Sequence, residues 1–116
     1  MIDVKQANLR MNQGSRFEVG IDVIENGAAK NLTGYTARMQ IRASKESTTV
    51  LADYTTANGA LSVNALAGRV TIVVLSTTTD AYTWGDAVYD LEIVDGANDA
   101  TRILEGKISL NKQVTR

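Results

Sequence analysis

Along most of this chain, side chains two residues apart share their character, and this period constrains the fold more than any other feature. In RFEVGIDVI, residues 16–24, Phe17, Val19, Ile21 and Val23 fall on one side, and Arg16, Glu18, Gly20 and Asp22 on the other. Successive strand side chains point to opposite faces, so the segment reads as a half-buried β-strand. YTARMQIRAS alternates in the same way, with Tyr35, Ala37, Met39 and Ile41 set against Thr36, Arg38, Gln40 and Arg42. DAVYDLEIVD places Tyr89, Leu91 and Ile93 on one face, and ATRILEGKISLNK does the same with Leu104, Ile108 and Leu110. TTVLADYTT and ALSV are shorter strands. In GRVTIVVLS the run Val70 to Leu75 is apolar on both sides apart from Thr71, which predicts a central strand. IDVKQANL, residues 2–9, is a further expected strand.

The breaks between these segments carry turn chemistry. Asn26–Gly27 and Asn58–Gly59 are tight-turn pairs, and GAND closes the segment after Val94. Proline is absent, so Gly, Asn and Asp make the turns. STTTDAYTW departs from the alternation and reads as a short helical turn with Ser76 as its cap. The pattern gives about seven or eight short strands and no amphipathic helix. This predicts an all-β fold, an antiparallel β-sandwich or small barrel, with residues 1–116 as a single domain. A chain of this length buries roughly two-thirds of its unfolded surface and needs no covalent staple.

Several chemistries are excluded by composition. The chain has no cysteine, which removes disulfides, thiol catalysis and cysteine-ligated metals. It has no histidine, which removes Ser–His–Asp triads, imidazole metal sites and the usual neutral-pH proton shuttle. An enzyme is therefore not expected, nor is a cofactor. Twelve basic and thirteen acidic residues are spread evenly, so no basic run points to nucleic acid. The first residues lack the apolar stretch of a signal peptide, and no run approaches ~20 apolar residues. Synthesis in the cytoplasm and no membrane partner are expected.

Four groups of residues are candidate sites. Asp90 and Glu92 lie two apart in a strand, on one face, roughly 7 Å from each other. Such a pair suits calcium or acid–base work, with DGAND offering Asp95, Asn98 and Asp99 nearby, but that loop matches no calcium motif. The simpler reading turns the acids toward water, or toward Arg38 and Arg42 if those strands pair. Arg38 and Arg42 share a face with Gln40. They lack the stacking aromatics of single-strand binders, so a solvated strand face is preferred. The hydroxyls Ser76, Thr77, Thr78 and Thr79 have no base and read as turn chemistry. Tyr82 and Trp84 either form an exposed docking patch or plug one end of the sandwich, and the plug is preferred.

Four segments, in order, carry a resemblance that spans nearly the whole chain: QGSRFEVGIDV at 13–23, LTGYTARMQIR at 32–42, GRVTIVVLSTTTDAYTWGDAVYDLEI at 68–93 and LEGKISLNKQVTR at 104–116. Together they resemble a family of small bacteriophage virion proteins, and the architecture resembles the N-terminal domain of phage baseplate upper proteins. The resemblance implies an Ig-like β-sandwich acting as a structural module of the tail or baseplate, with capsid decoration as the alternative. It implies other virion proteins as partners, a homo-oligomer within the particle, and no catalytic residues. On that reading Tyr82, Trp84, Arg38, Arg42, Asp90 and Glu92 are the expected contact residues. A carbohydrate-binding module is a further alternative, requiring two or three exposed coplanar rings from Tyr82, Trp84 and Tyr54.

Overall fold

The structure is a computed structural model that describes residues 4–115. The strands are β1 (Lys5–Gln6), β2 (Leu9–Asn12), β3 (Phe17–Asp22), β4 (Ile24–Glu25), β5 (Ala28–Ala29), β6 (Thr36–Arg42), β7 (Val50–Thr55), β8 (Leu61–Asn64), β9 (Arg69–Val74), β10 (Asp86–Val94) and β11 (Ala100–Asn111), with one helical turn, α1 (Ser76–Asp80). The larger sheet runs β1-β11-β10-β6-β7, with β2 following β1 along the same side of β11. The smaller sheet runs β3-β9-β8. With β3, β9 and β8 facing the β11-β10-β6-β7 sheet, the fold is an Ig-like β-sandwich.

Alternation decides which side chains meet between the sheets. The larger sheet contributes Met39 and Ile41 from β6, Tyr89, Leu91 and Ile93 from β10, and Leu104, Ile108 and Leu110 from β11, all buried. The smaller sheet contributes Phe17, Ile21, Leu61, Val70, Ile72 and Val74. A fully buried aliphatic such as Leu91 or Ile72 is worth roughly 1.5–3 kcal/mol relative to exposure. The two-sided apolar run maps to β9, which pairs with β3 on one side and β8 on the other. It is the central strand of its sheet, and its backbone edge is fully used.

Four expectations need correction. The strand expected at residues 2–9 appears as two pieces, β1 and β2, while Ile2 and Asp3 lie outside the described residues. Both pieces run parallel to β11, so the larger sheet is mixed and not purely antiparallel. More strands form than expected because β3 peels from its sheet into the small β4–β5 hairpin, closed by Asn26–Gly27. Ser76 does not cap α1: Leu75 holds the cap position, and no side chain bonds the free amides.

The break between β1 and β2 has a physical cause. Ala7 N donates to Glu105 O at 3.0 Å, which brings the two backbones together at Gly106. A Cβ on Gly106 would run into the Ala7 carbonyl, so only glycine fits. Tyr89 pairs with Gly106 across the ladder, and its hydroxyl donates to Ala7 O at 2.7 Å. One residue of β10 thus pins the N-terminal segment against β11.

A candidate interaction face

The six expected contact residues separate into two places. Arg38, Arg42, Asp90 and Glu92 all stand on the outer face of the larger sheet. Tyr82 and Trp84 sit on the connection between α1 and β10, against one end of the core.

Strand pairing on the outer face is in register. β10 runs antiparallel to β6, with Glu92 opposite Arg38, Asp90 opposite Gln40 and Val88 opposite Arg42. Arg38 Nε donates to Glu92 Oε1 at 2.8 Å. Asp90 does not reach Arg42, contrary to the simplest expectation, because Arg42 is engaged elsewhere. Its Nη1 donates to Ser47 O at 2.7 Å and its Nη2 to Gln40 Oε1 at 2.8 Å, which ties down the β6–β7 loop. Asp90 instead faces Arg102 on β11, 3.5 Å away.

Arg102, Glu105 and Gln6 complete this face, and the sequence reading missed all three. Arg102 Nη1 donates to Glu105 Oε1 at 3.0 Å, and Gln6 Nε2 donates to Glu105 Oε2 at 2.6 Å. Simple alternation puts Arg102 and Glu105 on opposite faces. A β-bulge changes that: Leu91 pairs with Leu104 and Glu92 with Arg102, leaving Ile103 as the extra residue. Both Ile103 and Leu104 then point inward and are buried. The apolar doublet within an alternating strand was the available signal.

The resulting depression has a volume of about 330 Å³ and is lined by Gln40, Arg42, Lys45, Asp90, Arg102 and Glu105, among others. Its carboxylates are each partnered, while Lys45 makes no ion pair among the described residues. Burial raises the Asp90 carboxyl above its ordinary value, Arg102 draws it back, and Glu92 and Glu105 add to the rise. Glu105 is held below its ordinary value by the Gln6 hydrogen bond first, against burial, with Arg102 assisting. Each carboxylate already has a guanidinium or amide partner, so the arrangement is built to hold a polar face in shape. It does not present a free acid and a free base to a substrate.

The DGAND loop is used in a similar way. Asp95 Oδ1 accepts from Ala97 N at 2.9 Å and Asp99 N at 3.0 Å, closing the β10–β11 turn with Asn98 at φ 65°. Among the described residues, no three acidic side chains converge in a metal-holding group. Of the hydroxyl run, Thr79 is fully buried and its Oγ1 donates to Ser15 O at 2.8 Å, fastening α1 to the β2–β3 turn.

At the end of the sandwich, the Tyr82 and Trp84 rings lie 5.5 Å apart, tilted by 40°. The Tyr82 hydroxyl is 2.7 Å from that of Tyr54, which is buried in the core. Burial raises both phenols; the shared hydrogen bond adds to the rise of Tyr54 and opposes that of Tyr82. Gln13 Nε2 reaches Tyr82 O at 2.9 Å. Trp84 Nε1 is buried without a hydrogen-bond partner among the described residues. Both rings are half-buried against the core, as the plug reading expects. They are tilted and Tyr54 is covered, so the three rings do not form a flat platform for a sugar.

No family model matches the chain, and no curated protein matches it. Among solved structures it is similar to a chain of the crystal structure of ICOS in complex with ICOS-L and an anti-ICOS-L VNAR domain. That likeness has a TM-score of 0.49 at 14% identity, over 95% of this chain and 56% of the other. Extracellular domains 3–5 of Drosophila OTK give a TM-score of 0.40 at 9% identity, over 94% of this chain and 35% of the other. The chain therefore spans about half the length of the first and about a third of the second.

Proposed function

We propose that this chain is a structural protein of a bacteriophage particle, a tail- or baseplate-associated β-module that works by non-covalent contact with neighbouring virion subunits. The resemblance of its strand motifs to small virion proteins supplies the phage context. The observation that carries the assembly reading is the division of labour on the surface. On the outer face of the larger sheet Arg38, Asp90, Glu92, Arg102 and Glu105 pair with one another, while β7 and β8 each pair on one side only. A sheet edge offers unpaired N–H and C=O groups as a template for another chain. Val50 at the start of β7 and Leu75 just after β9 are exposed apolar residues beside these edges. A module of this kind binds through edges and loop tips, and its rigid face sets the spacing between neighbours.

Immunogold labelling of gradient-purified particles, with an antibody raised against the chain, tests the reading. Gold at the tail or baseplate is the expected result. Gold over the head would replace the location with capsid decoration, and unlabelled particles would refute the virion assignment.

A further inference from the structure

We propose that Asn26 is a site of spontaneous deamidation in the folded protein, and that the second Asn–Gly pair, Asn58–Gly59, is protected by its own hydrogen bonds. The two pairs share the chemistry that makes Asn–Gly reactive, since glycine has no side chain to hinder attack by its amide nitrogen. They differ in what holds them.

Asn26 and Gly27 form the tip of the β4–β5 hairpin, with φ values of 54° and 80°. Only two residue pairs close this hairpin, Ile24 with Ala29 and Glu25 with Ala28. Nothing lies near the position a Gly27 Cβ would take. No hydrogen bond from the Asn26 side chain is found among the described residues. Reaction requires the Gly27 nitrogen to meet Asn26 Cγ, a geometry reached when the tip opens, and only two ladder pairs hold it closed. A hairpin this short is marginal by itself; Lys30 N to Val23 O (2.9 Å), Leu32 N to Ala65 O (2.9 Å) and the Lys30 Nζ to Glu25 Oε1 ion pair (3.1 Å) hold its arms, and none of them holds the Asn26 side chain.

Asn58 is fixed on every side. Its Oδ1 accepts from Thr55 N at 3.0 Å and Ala60 N at 3.1 Å, its Nδ2 donates to Asp53 O at 3.0 Å, and its own N donates to Thr55 Oγ1 at 2.9 Å. Swinging this carboxamide toward Gly59 N breaks three side-chain hydrogen bonds at once.

In the reaction the Gly27 amide nitrogen bonds to Asn26 Cγ. The bond from Cγ to the side-chain nitrogen breaks, and that group leaves as ammonia with the proton given up by the Gly27 amide. Water then opens the succinimide at either carbonyl, giving aspartate or isoaspartate. Each event adds one negative charge beside Glu25. The isoaspartate product also lengthens the backbone at the turn and destroys its geometry.

The test is incubation of the intact protein at mildly alkaline pH in ¹⁸O water, followed by peptide mapping of both Asn–Gly sites, folded and in urea. In the folded protein, Asn26 is expected to convert at least about tenfold faster than Asn58, from the hydrogen bonds that Asn58 must break. In urea the two rates are expected to converge. Conversion of Asn26 no faster than Asn58 in the folded state, including conversion at neither, would overturn the proposal. So would a difference that persists unchanged in urea.

Discussion

A double-mutant cycle on Arg38 and Glu92 separates a cross-strand ion pair from a working carboxylate. The pair is in register and 2.8 Å apart, with the Arg38 side chain 52% exposed and the Glu92 side chain 25% exposed. A bare Coulomb estimate at ~4 Å and an effective dielectric of about 20 gives about 4 kcal/mol. Water reaches both groups here, and two long side chains must be held in one geometry, so the net value falls well below that. Cross-strand charge pairs and exposed ion pairs contribute roughly 0.2–1 kcal/mol. With Glu92 partly sheltered, the coupling is expected near the top of that range, about 0.5–1 kcal/mol. Urea unfolding of the parent, Arg38→Ala, Glu92→Ala and the double variant gives it directly. Raising the salt to about 1 M shortens the screening length to ~3 Å and is expected to remove at least half of the coupling. The reasoning fails if Glu92→Ala alone stabilises the protein by more than about 1 kcal/mol, the mark of a carboxylate kept for function at a cost in stability. A coupling above about 3 kcal/mol, insensitive to salt, would equally contradict a surface pair.

Three further outcomes follow from the geometry. Gly106→Ala drives a Cβ into the Ala7 carbonyl and is expected to cost about 2 kcal/mol, with hydrogen exchange accelerating first across residues 5–12; unchanged exchange there would show that the N-terminal segment is not held at this point. Asp90 has a folded pKa raised chiefly by burial, so its contribution to stability is full below the ordinary value of 3.8 and is lost as pH rises through the folded value. Asp90→Asn is accordingly expected to be relatively more stable at pH 7 than at pH 3 in matched urea melts, and the opposite trend would contradict the assignment. Burial, aided by the charge of Glu105, pushes the Tyr89 phenol up to about 12, so its stabilising contribution persists below pH 10 and is lost as pH rises toward 12. Tyrosinate absorbance and circular dichroism are expected to change together in that window, Tyr89→Phe is expected to flatten the loss, and a Tyr89→Phe profile identical to the parent would refute it.

The strands were legible because burial has a period of two wherever one face meets the core. Phe17 and Ile21, Met39 and Ile41, and Leu91 and Ile93 all lie where alternation puts them. The central position of β9 was readable because Val73 interrupts the polar side of its alternation. The outer face was only half legible. The Arg38–Glu92 pair follows once β6 and β10 are neighbours, but Arg102 enters through the bulge at Ile103, and Gln6 enters because the chain's first strand lies parallel to its last. Pairing between residues almost a hundred positions apart leaves no local trace. Ser76 looked like a cap because Ser, Thr, Asn and Asp favour that position. The helix starts one residue earlier, with Leu75 at the cap, and Thr79 lies in the core bonded to Ser15 O.

The proposal that this module belongs to a virion is tested most directly by quantitative mass spectrometry of particles carried through a high-salt density gradient. The account expects the chain to stay with the particles at a fixed, repeated ratio to the major capsid protein. Its loss to the top of the gradient, or its absence from particles, would contradict the account.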